Sequence, residues 1–425
     1  MLKGFELKKS KDNKQFDGII SSWKEGTNEE KEQLNEWDYL HYMDAFYKAK
    51  EYEICLEIYK KCISVYPYWD KLDNEMVWSL YRAKIKTFDF ETGDISELLK
   101  LIDYALEHCN DSQPLPRWAV IDYITKAVRD GKVGEERDYS LVEKYLLQVN
   151  PEVLSKKENQ MYSGRPLPSN YESWHSRMSK ALLEQKKYAE CMECCDKALA
   201  SIEKFHSNND VWFRYRKAVS LRGVDRESEG TAIINQALSG RFSHWCLFEY
   251  LYDNAVSAND TESAMIYAAK CALADSEHKM RVLFYQKYAE YLEKIGNSKI
   301  SMLLRYLIIV IRQEEGWREK SYFADWNITD DVKQMSKEEL LKELNSFWRS
   351  LAERDKTSGR ITSIISGGVA GFVEDKNGNS YYFNARDFKS NKSKMIIGEI
   401  VKFDLVDGFD KKKNIATKNA INITV

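Results

Sequence analysis

A pattern of small residues at helical spacing recurs along this chain and constrains its fold more than any other feature. The segment 187–198 repeats the residue spacing of the segment 51–62. Small residues then return at Cys191, Gly230 and Ala264, in steps of 39 and 34 residues (230 − 191 and 264 − 230). A single amphipathic helical hairpin cannot bury its own apolar face, so such copies predict a stack in which each hairpin packs against its neighbours.

These hairpins resemble tetratricopeptide repeats. In such repeats small residues mark the helix crossing, an aromatic residue follows one turn later, and a proline ends the unit. In the first copy these places are held by Cys55, Tyr59, Cys62 and Pro67. Later copies are led by aromatic residues, namely Trp174, Trp212, Trp245 and Phe284. The resemblance implies an α-solenoid of antiparallel helix pairs whose groove binds a protein or peptide partner.

Composition shifts along the chain predict five segments. Residues 1–35 are a polar N-terminal segment, 36–150 a helical block with one hairpin, 151–170 a loop, 171–354 a helical array and 358–425 a small barrel. The loop is indicated by clustered proline and glycine, and the last helix of the array by a Ser-Lys-Glu-Glu capping box. The predicted fold class is therefore mainly α, an α-solenoid followed by a five-stranded β-barrel.

The hydrophobic period changes from helix to strand after a short linker, residues 355–359. Tight-turn residues after Glu374 predict a hairpin. Strands are predicted over residues 360–365, 369–374, 380–385, 400–405 and 414–423. Five short strands in about 65 residues are typical of a small oligonucleotide-binding barrel.

Several landmarks of this barrel resemble those of a cold-shock domain. They fall in the family's order, at residues 359–361, 371–373, 381–384, 398–403 and Ala416. The resemblance covers nearly all of residues 358–423. It implies that single-stranded nucleic acid binds by stacking its bases on exposed aromatic rings over a basic face.

The alternation of side chains along a strand selects the candidate stacking residues. It places Phe372 and Tyr382 outward as a pair, together with Ala370 and Asn384. The family would have a second aromatic residue at Ala370, a histidine at Asn384 and a tryptophan near Ser363, so this chain keeps fewer stacking positions. The candidate nucleic-acid-binding residues are Phe372, Tyr382, Asn384, Lys376, Arg386, Lys402, Lys411 and Lys413. The alternative is a barrel kept for protein contacts or for structure.

Charge is distributed unevenly and favours a polyanion at the C-terminal barrel. Residues 356–425 hold 12 Lys/Arg and 7 Asp/Glu, a net charge of +5. The whole chain carries −3, so the remaining residues carry −8 (−3 − 5). A partner with many phosphates would therefore be attracted to the tail rather than to the helical body.

A basic stretch begins the third copy of the hairpin along the chain, the one led by Trp212. Arg214, Arg216 and Lys217 are candidates to line a groove for an acidic peptide. The alternative is a solvated helix face with intrahelical ion pairs.

Other residues that could carry chemistry have simpler interpretations. Cys191, Cys194 and Cys195 share one helix face, but no second Cys/His pair stands at zinc spacing, so core packing is predicted rather than a metal site. The eight cysteines lie in helical patterns, as expected in a reducing cytoplasm. No phosphate loop, nucleophile elbow or paired-acid motif occurs, so neither a cofactor nor a catalytic residue is predicted. No apolar run reaches the roughly 18 residues of a membrane-spanning helix.

The functional hypothesis is a non-enzymatic cytoplasmic adaptor. Its helical array would hold a protein partner, and its barrel would weakly bind RNA or single-stranded DNA, with no membrane partner. The alternative is a purely protein-binding scaffold in a stress or defence complex, with the barrel as a docking module. The sequence leaves the oligomeric state open.

Overall fold

The computed structural model describes residues 1–67, 69–109, 114–133, 137–160, 166–238, 244–317, 321–365, 367–410 and 415–425. The chain divides into two compact units, Met1–Ser207 and Asn208–Val425. It is mainly helical and its C-terminal strands close into a five-stranded barrel, which confirms the predicted fold class. None of the helices in the described ranges is long and apolar enough to cross a bilayer.

Among its described residues, the first unit consists of helices, the connections between them and one pair of two-residue strands. Its helices are α1 (Gly4–Asp12), α2 (Phe16–Glu25), α3 (Asn28–Glu32), α4 (Glu36–Lys48), α5 (Tyr52–Val65), α6 (Asp73–Leu80), α7 (Ile95–Glu107), α8 (Pro114–Arg129), α9 (Tyr139–Leu146), α10 (Asn170–Glu184) and α11 (Tyr188–Ser201). Helix α6 continues as a π-helix over Tyr81–Ile85. The short strands β1 (Asn159–Gln160) and β2 (Pro166–Leu167) pair in antiparallel fashion within the region predicted as a loop.

The N-terminal segment 1–35, which is polar in sequence, folds into α1, α2 and α3. Leu7 and Ile19 are fully buried because α1 and α2 both pack against α4. The ring centroids of Trp23 and Tyr42 lie 5.0 Å apart across the same contact. This segment has few apolar residues, so its helical periodicity in the sequence is weak. Their burial is nevertheless enough to pack the segment against the first hairpin.

The second unit begins with the helices α12 (Asn209–Arg222), α13 (Glu227–Leu238), α14 (Trp245–Ser257), α15 (Thr261–Leu273), α16 (Val282–Lys294), α17 (Ser298–Glu314), α18 (Asp330–Lys333) and α19 (Lys337–Ala352). Helix α12 packs against α13, α14 against α15, and α16 against α17, while α19 packs against both α15 and α17. Helix α19 starts at the predicted capping box, in which Ser336 and Glu339 cap each other's backbone N–H groups.

The boundary between the two units falls inside the residues 171–354 that were expected to form one array. At the boundary Ser207 and Asn208, between α11 and α12, have φ angles of 44° and 62°. Such angles are uncommon for residues with a side chain. Both residues are polar, so the hydrophobic pattern of the sequence does not mark this position. The sequence pattern therefore shows the hairpins on each side of this point but not the division between them.

Helical hairpins of both units close at a small residue that meets a backbone carbonyl 12 positions earlier in the chain. In three hairpins the small residue donates a hydrogen bond to that carbonyl: Cys55 to Met43 at 3.5 Å, Cys191 to Ser179 at 3.2 Å and Ser301 to Ala289 at 2.8 Å. In a fourth, a Cβ added to Gly230 would lie only 2.8 Å from the Ala218 carbonyl oxygen. The helices cross so closely that larger side chains would not fit, and the α16–α17 pair, which is led by Phe284, has the same geometry.

The crossing residues lie in the core, where the sequence pattern put them. Cys191 and Ala264 are fully buried on the second helix of their hairpins. Cys194 and Cys195 are also buried, as core packing predicts. Burial raises the pKa of the Cys55 thiol to about 11 and that of Cys62 to about 12. Thiols of this kind stay protonated and unreactive.

The barrel is formed by β3 (Thr357–Ile364), β4 (Ala370–Asp375), β5 (Ser380–Asn384), β6 (Ile400–Asp410) and β7 (Ile415–Thr424). It closes in the order β3-β4-β5-β7-β6, with β5 and β7 parallel and the other neighbours antiparallel. The turn 365–369 and the connection 385–399 follow β3 and β5 at one end, called here the loop end. The turn 376–379 lies at the other, the hairpin end. The core is formed by Ile361, Val373, Phe383, Phe388, Val401, Phe403, Ala420 and Ile423.

The first strand begins earlier than the sequence indicates, because Gly359 lies within β3 and not in a linker. A Cβ at this position would lie 2.4 Å from the Glu374 carbonyl oxygen and 3.0 Å from the Phe403 ring. The glycine is therefore required by the close approach of β3 to its neighbours. The predicted linker 355–359 is correspondingly shorter.

Candidate nucleic-acid interface

Phe372 and Tyr382 lie directly opposite each other on β4 and β5. Phe372 is 36% exposed and Tyr382 is half-buried. Their ring centroids are 5.8 Å apart and their planes meet at 73°, an edge-to-face arrangement. The two rings form one aromatic site on the outer surface of the barrel, called here the aromatic pair.

The aromatic pair belongs to a row of side chains that crosses four strands. Ser363 on β3 lies opposite Phe372, and Asn419 on β7 lies opposite Tyr382. A register shift between Ile361 and Ser363 makes β3 irregular just where it meets the pair. The row therefore offers two aromatic rings flanked by small polar side chains, which a base could approach from solvent.

Ala370 does not face solvent, contrary to the expectation from strand alternation. It is only 3% exposed, although Phe372 two residues later is open. The β4–β5 pairing continues past Ala370, since the Ala385 N–H donates to the Val369 carbonyl at 2.9 Å. The position would therefore not present a third stacking side chain.

Asn384 is engaged in the fold instead of pointing freely at a ligand. Its side-chain oxygen accepts a hydrogen bond from the backbone N–H of Arg386 at 3.1 Å and caps the short turn Ala385–Asp387. The Arg386 side chain is exposed. The sequence placed both residues at the interface, and the structure gives the asparagine a turn-forming role.

The candidate phosphate-binding cations are spread over the barrel. Lys376 is exposed in the turn at the hairpin end, whereas Arg386 is at the loop end. Lys402 on β6 is half exposed and its ammonium lies 3.8 Å from the carboxylate of Glu353, which follows α19. Lys411 and Lys413 lie outside the described residues. The structure thus does not gather Lys376, Arg386 and Lys402 around the aromatic pair.

An open groove lies at the hairpin end of the barrel, between β5 and the β6–β7 hairpin. It is lined by Gly378, Asn379, Ser380, Tyr381, Leu405, Asp407, Thr417 and Lys418. Lys418 directly precedes Asn419, the β7 residue opposite Tyr382. By strand alternation its side chain faces the opposite side of β7 from Asn419 and Tyr382, so it lines the groove but does not stand beside the aromatic pair.

Asp375 holds the β4–β5 turn at the hairpin end of the barrel. Its carboxylate accepts hydrogen bonds from the Asn379 side chain, the backbone N–H groups of Asn379 and Asn377, and the Tyr381 hydroxyl, all at 2.8–3.0 Å. These donors, the Asn379 amide first, lower the pKa of Asp375 from 3.8 to about 2. The charged carboxylate therefore stabilises the turn that ends β4 and begins β5.

This shift predicts a pH-dependent turn. The folded-state pKa of Asp375 is depressed, so its stabilising contribution is complete above about pH 4 and is lost as the pH falls through about 2. We expect amide hydrogen exchange at Asn377 and Asn379 to accelerate below pH 4 in the wild type, beyond the change seen in Asp375→Asn. Comparing the two proteins at each pH removes the intrinsic pH dependence of exchange. Equal protection at all pH values would contradict this role.

On the helical body, the three basic residues of α12 differ in their surroundings. Arg214 is half-buried, with its guanidinium 3.8 Å from the Asp210 carboxylate, an i,i+4 pair. Arg216 is only 9% exposed and lies over the rings of Trp212 and Phe213, at 5.9 and 5.8 Å. Lys217 is half-buried. Arg216 is therefore part of the packing rather than an open groove cation, which its charge alone could not reveal.

The first helices of the three hairpins in the second unit share a network of charges. Arg222 on α12 lies 3.6 Å from Asp253 on α14, and Lys287 on α16 lies 3.0 Å from Asp253 and 2.7 Å from Glu249. Burial disfavours the charged form, yet the two carboxylates hold the pKa of Lys287 above its ordinary value. This face is therefore of mixed charge and internally paired, not uniformly basic.

Comparison with protein-family models finds no family that matches the chain, and comparison with curated proteins finds no significant relative. The description of the helical hairpins and of the closed barrel therefore rests on the structure alone.

Proposed function

We propose that this protein is a non-enzymatic adaptor whose C-terminal barrel weakly binds RNA or single-stranded DNA and whose helical hairpins hold a protein partner. In this proposal the hairpins are tetratricopeptide-like and the barrel is a cold-shock-like oligonucleotide-binding domain. The observation that carries it is the aromatic pair, Phe372 and Tyr382, which lie opposite each other on the barrel surface with one ring 36% exposed.

Aromatic rings on a barrel surface suit single strands better than duplexes. Unpaired bases have free faces that stack on such rings at about 1–3 kcal/mol each, without regard to sequence. Two rings support only weak binding compared with a surface that carries four or five. Lys376 in the turn at the hairpin end and Lys418 in the groove are cations of the same barrel, and phosphates farther along a bound strand could reach them.

The protein-binding half of the proposal rests on the repeated close crossings. Hairpins that cross at Gly230 and Ser301 present their first helices side by side, and these helices carry the Arg222–Asp253–Lys287 network. Internally paired charges of both signs suit a partner segment that also carries both signs, which can exchange one ion pair for another.

The nucleic-acid half is tested by fluorescence anisotropy with the full chain and labelled single-stranded DNA, single-stranded RNA and duplex DNA of equal length. We expect both single strands to bind more tightly than the duplex. The affinity should fall with salt by a log–log slope of about −0.7 for each phosphate neutralised. An absence of single-strand binding at low salt would instead favour the scaffold in which the barrel docks a protein.

A further inference from the structure

The loop end of the barrel exposes an unusual number of branched aliphatic side chains. Ile365 and Val369, in the turn after β3, are 42% and 60% exposed. Ile396 and Ile397, in the connection 385–399, are 53% and 65% exposed. Clustered apolar exposure of this kind marks an interaction surface more often than single exposed residues do. We call these four residues the aliphatic cluster.

Backbone hydrogen bonds fasten the connection 385–399 around this end at three points. The Ala385 N–H donates to the Val369 carbonyl at 2.9 Å, beside the turn after β3. The Lys389 N–H donates to the Ile423 carbonyl at 2.8 Å, on β7. The Gly398 N–H donates to the Ile361 carbonyl at 2.8 Å, on β3. Both halves of the aliphatic cluster are therefore at the same end of the barrel.

The barrel core does not need these side chains. Phe388 is buried and Met395 packs against the core, so the connection already supplies two apolar side chains that close the loop end. Ile396 and Ile397 follow Met395 directly but stay outside. Their exposure costs solvation without contributing to the fold, which indicates that something else covers them.

Four cations belong to the connection 385–399 that carries Ile396 and Ile397. Arg386, Lys389, Lys392 and Lys394 are all exposed, and none forms an ion pair with another described residue. The acidic residues of the same connection, Asp387 and Glu399, are half-buried. The surface at the loop end thus combines protruding aliphatic tips with a basic rim.

We propose that the loop end of the barrel docks on an anionic lipid surface. Aliphatic side chains are poor stacking platforms for bases, and the groove that could receive a peptide lies toward the hairpin end, away from this cluster. A bilayer interface accepts protruding apolar tips to a depth of about 5–10 Å, while its anionic headgroups attract flanking lysines and arginines. The contact needs no membrane-spanning helix, although it departs from the expectation of no membrane partner that was drawn from the sequence.

The test is sedimentation of the full chain with vesicles of phosphatidylcholine containing about 30% phosphatidylserine, and with vesicles of phosphatidylcholine alone. We expect binding to the anionic vesicles only. Ile396→Ser combined with Ile397→Ser should reduce partitioning about tenfold or more. Lys389→Gln, Lys392→Gln and Lys394→Gln together should reduce it by up to about a hundredfold.

Two control variants separate this surface from other effects. Leu283→Ser removes an aliphatic side chain that is 74% exposed on α16, and should bind vesicles as the wild type does. Phe372→Ala with Tyr382→Ala should also leave vesicle binding unchanged. Retained single-strand binding by the isoleucine variant would show that its barrel is folded. No binding to anionic vesicles at low salt, or equal binding by wild type and both loop-end variants, would overturn the proposal and point to a protein partner.

Discussion

Replacing Phe372 and Tyr382 together by alanine is expected to weaken binding of single-stranded nucleic acid by about 2–6 kcal/mol, if each ring stacks on one base. This is the largest effect that the structure predicts for the barrel. Neither ring belongs to the barrel core, which is built by inward residues such as Val373 and Phe383. The variant should therefore fold normally and lose affinity without losing stability.

Anisotropy titrations at low salt measure this loss. A matched control is Phe5→Ala, which removes a phenyl ring that is 78% exposed on α1 and should bind as tightly as the wild type. The two variants together distinguish stacking at the aromatic pair from general adhesion to exposed rings. Equal affinity for wild type and the double variant would contradict the proposed interface even if the protein binds single strands.

Trp348→Ala is expected to destabilise the second unit by about 3–5 kcal/mol. Trp348 on α19 is fully buried, and its ring stacks on Tyr285 of α16 at 5.9 Å with only 12° between the planes. The substitution would leave a cavity between α19 and the hairpins. Helix α19 also packs against α15 and α17, so the loss of packing would destabilise the α14–α15 and α16–α17 hairpins as well.

Urea denaturation followed by circular dichroism gives the free energy of unfolding for this comparison. Trp317→Ala is the comparison variant, because that tryptophan is 40% exposed and its loss should lower the free energy of unfolding by clearly less than the loss of Trp348. If Trp348→Ala were as mild as the control, α19 would not be an integral closing helix of the array.

The parts of the fold that follow a strict period were predictable from sequence. Helical crossings at Cys55, Cys191 and Gly230 require small residues because two backbones meet there, so the pattern survives in the sequence. The strand alternation around Phe372 and Tyr382 placed both rings outward on neighbouring strands, where they are found opposite each other.

Features that depend on contacts between distant parts of the chain were not predictable. In the sequence Gly359 resembles a linker glycine. Only the structure shows that β4 and the Phe403 ring lie too close to it for a side chain to fit. Ala370 is buried although strand alternation assigns it to the outer face with Phe372. The sequence around Arg216 does not show whether its side chain is exposed or, as the structure has it, lies over Trp212.

The candidate site shows the same limit. From the sequence, every lysine of the barrel was an equally good candidate to bind phosphate, because the sequence does not show where each lysine lies on the folded surface. In the fold Lys402 is near Glu353, and Lys418 lines the groove at the hairpin end rather than the outer surface that carries the aromatic pair. Only the folded barrel shows that its cations are spread over different parts of its surface.

Photo-crosslinking tests the proposed interface most directly. The full chain would be bound to a single-stranded oligonucleotide that carries a photoreactive base, irradiated, digested and mapped by mass spectrometry. Stacking on the aromatic pair predicts crosslinks at Phe372 or Tyr382 that disappear with excess unlabelled single strand. Crosslinks confined to the helical hairpins, or none at a concentration that saturates anisotropy, would contradict the account.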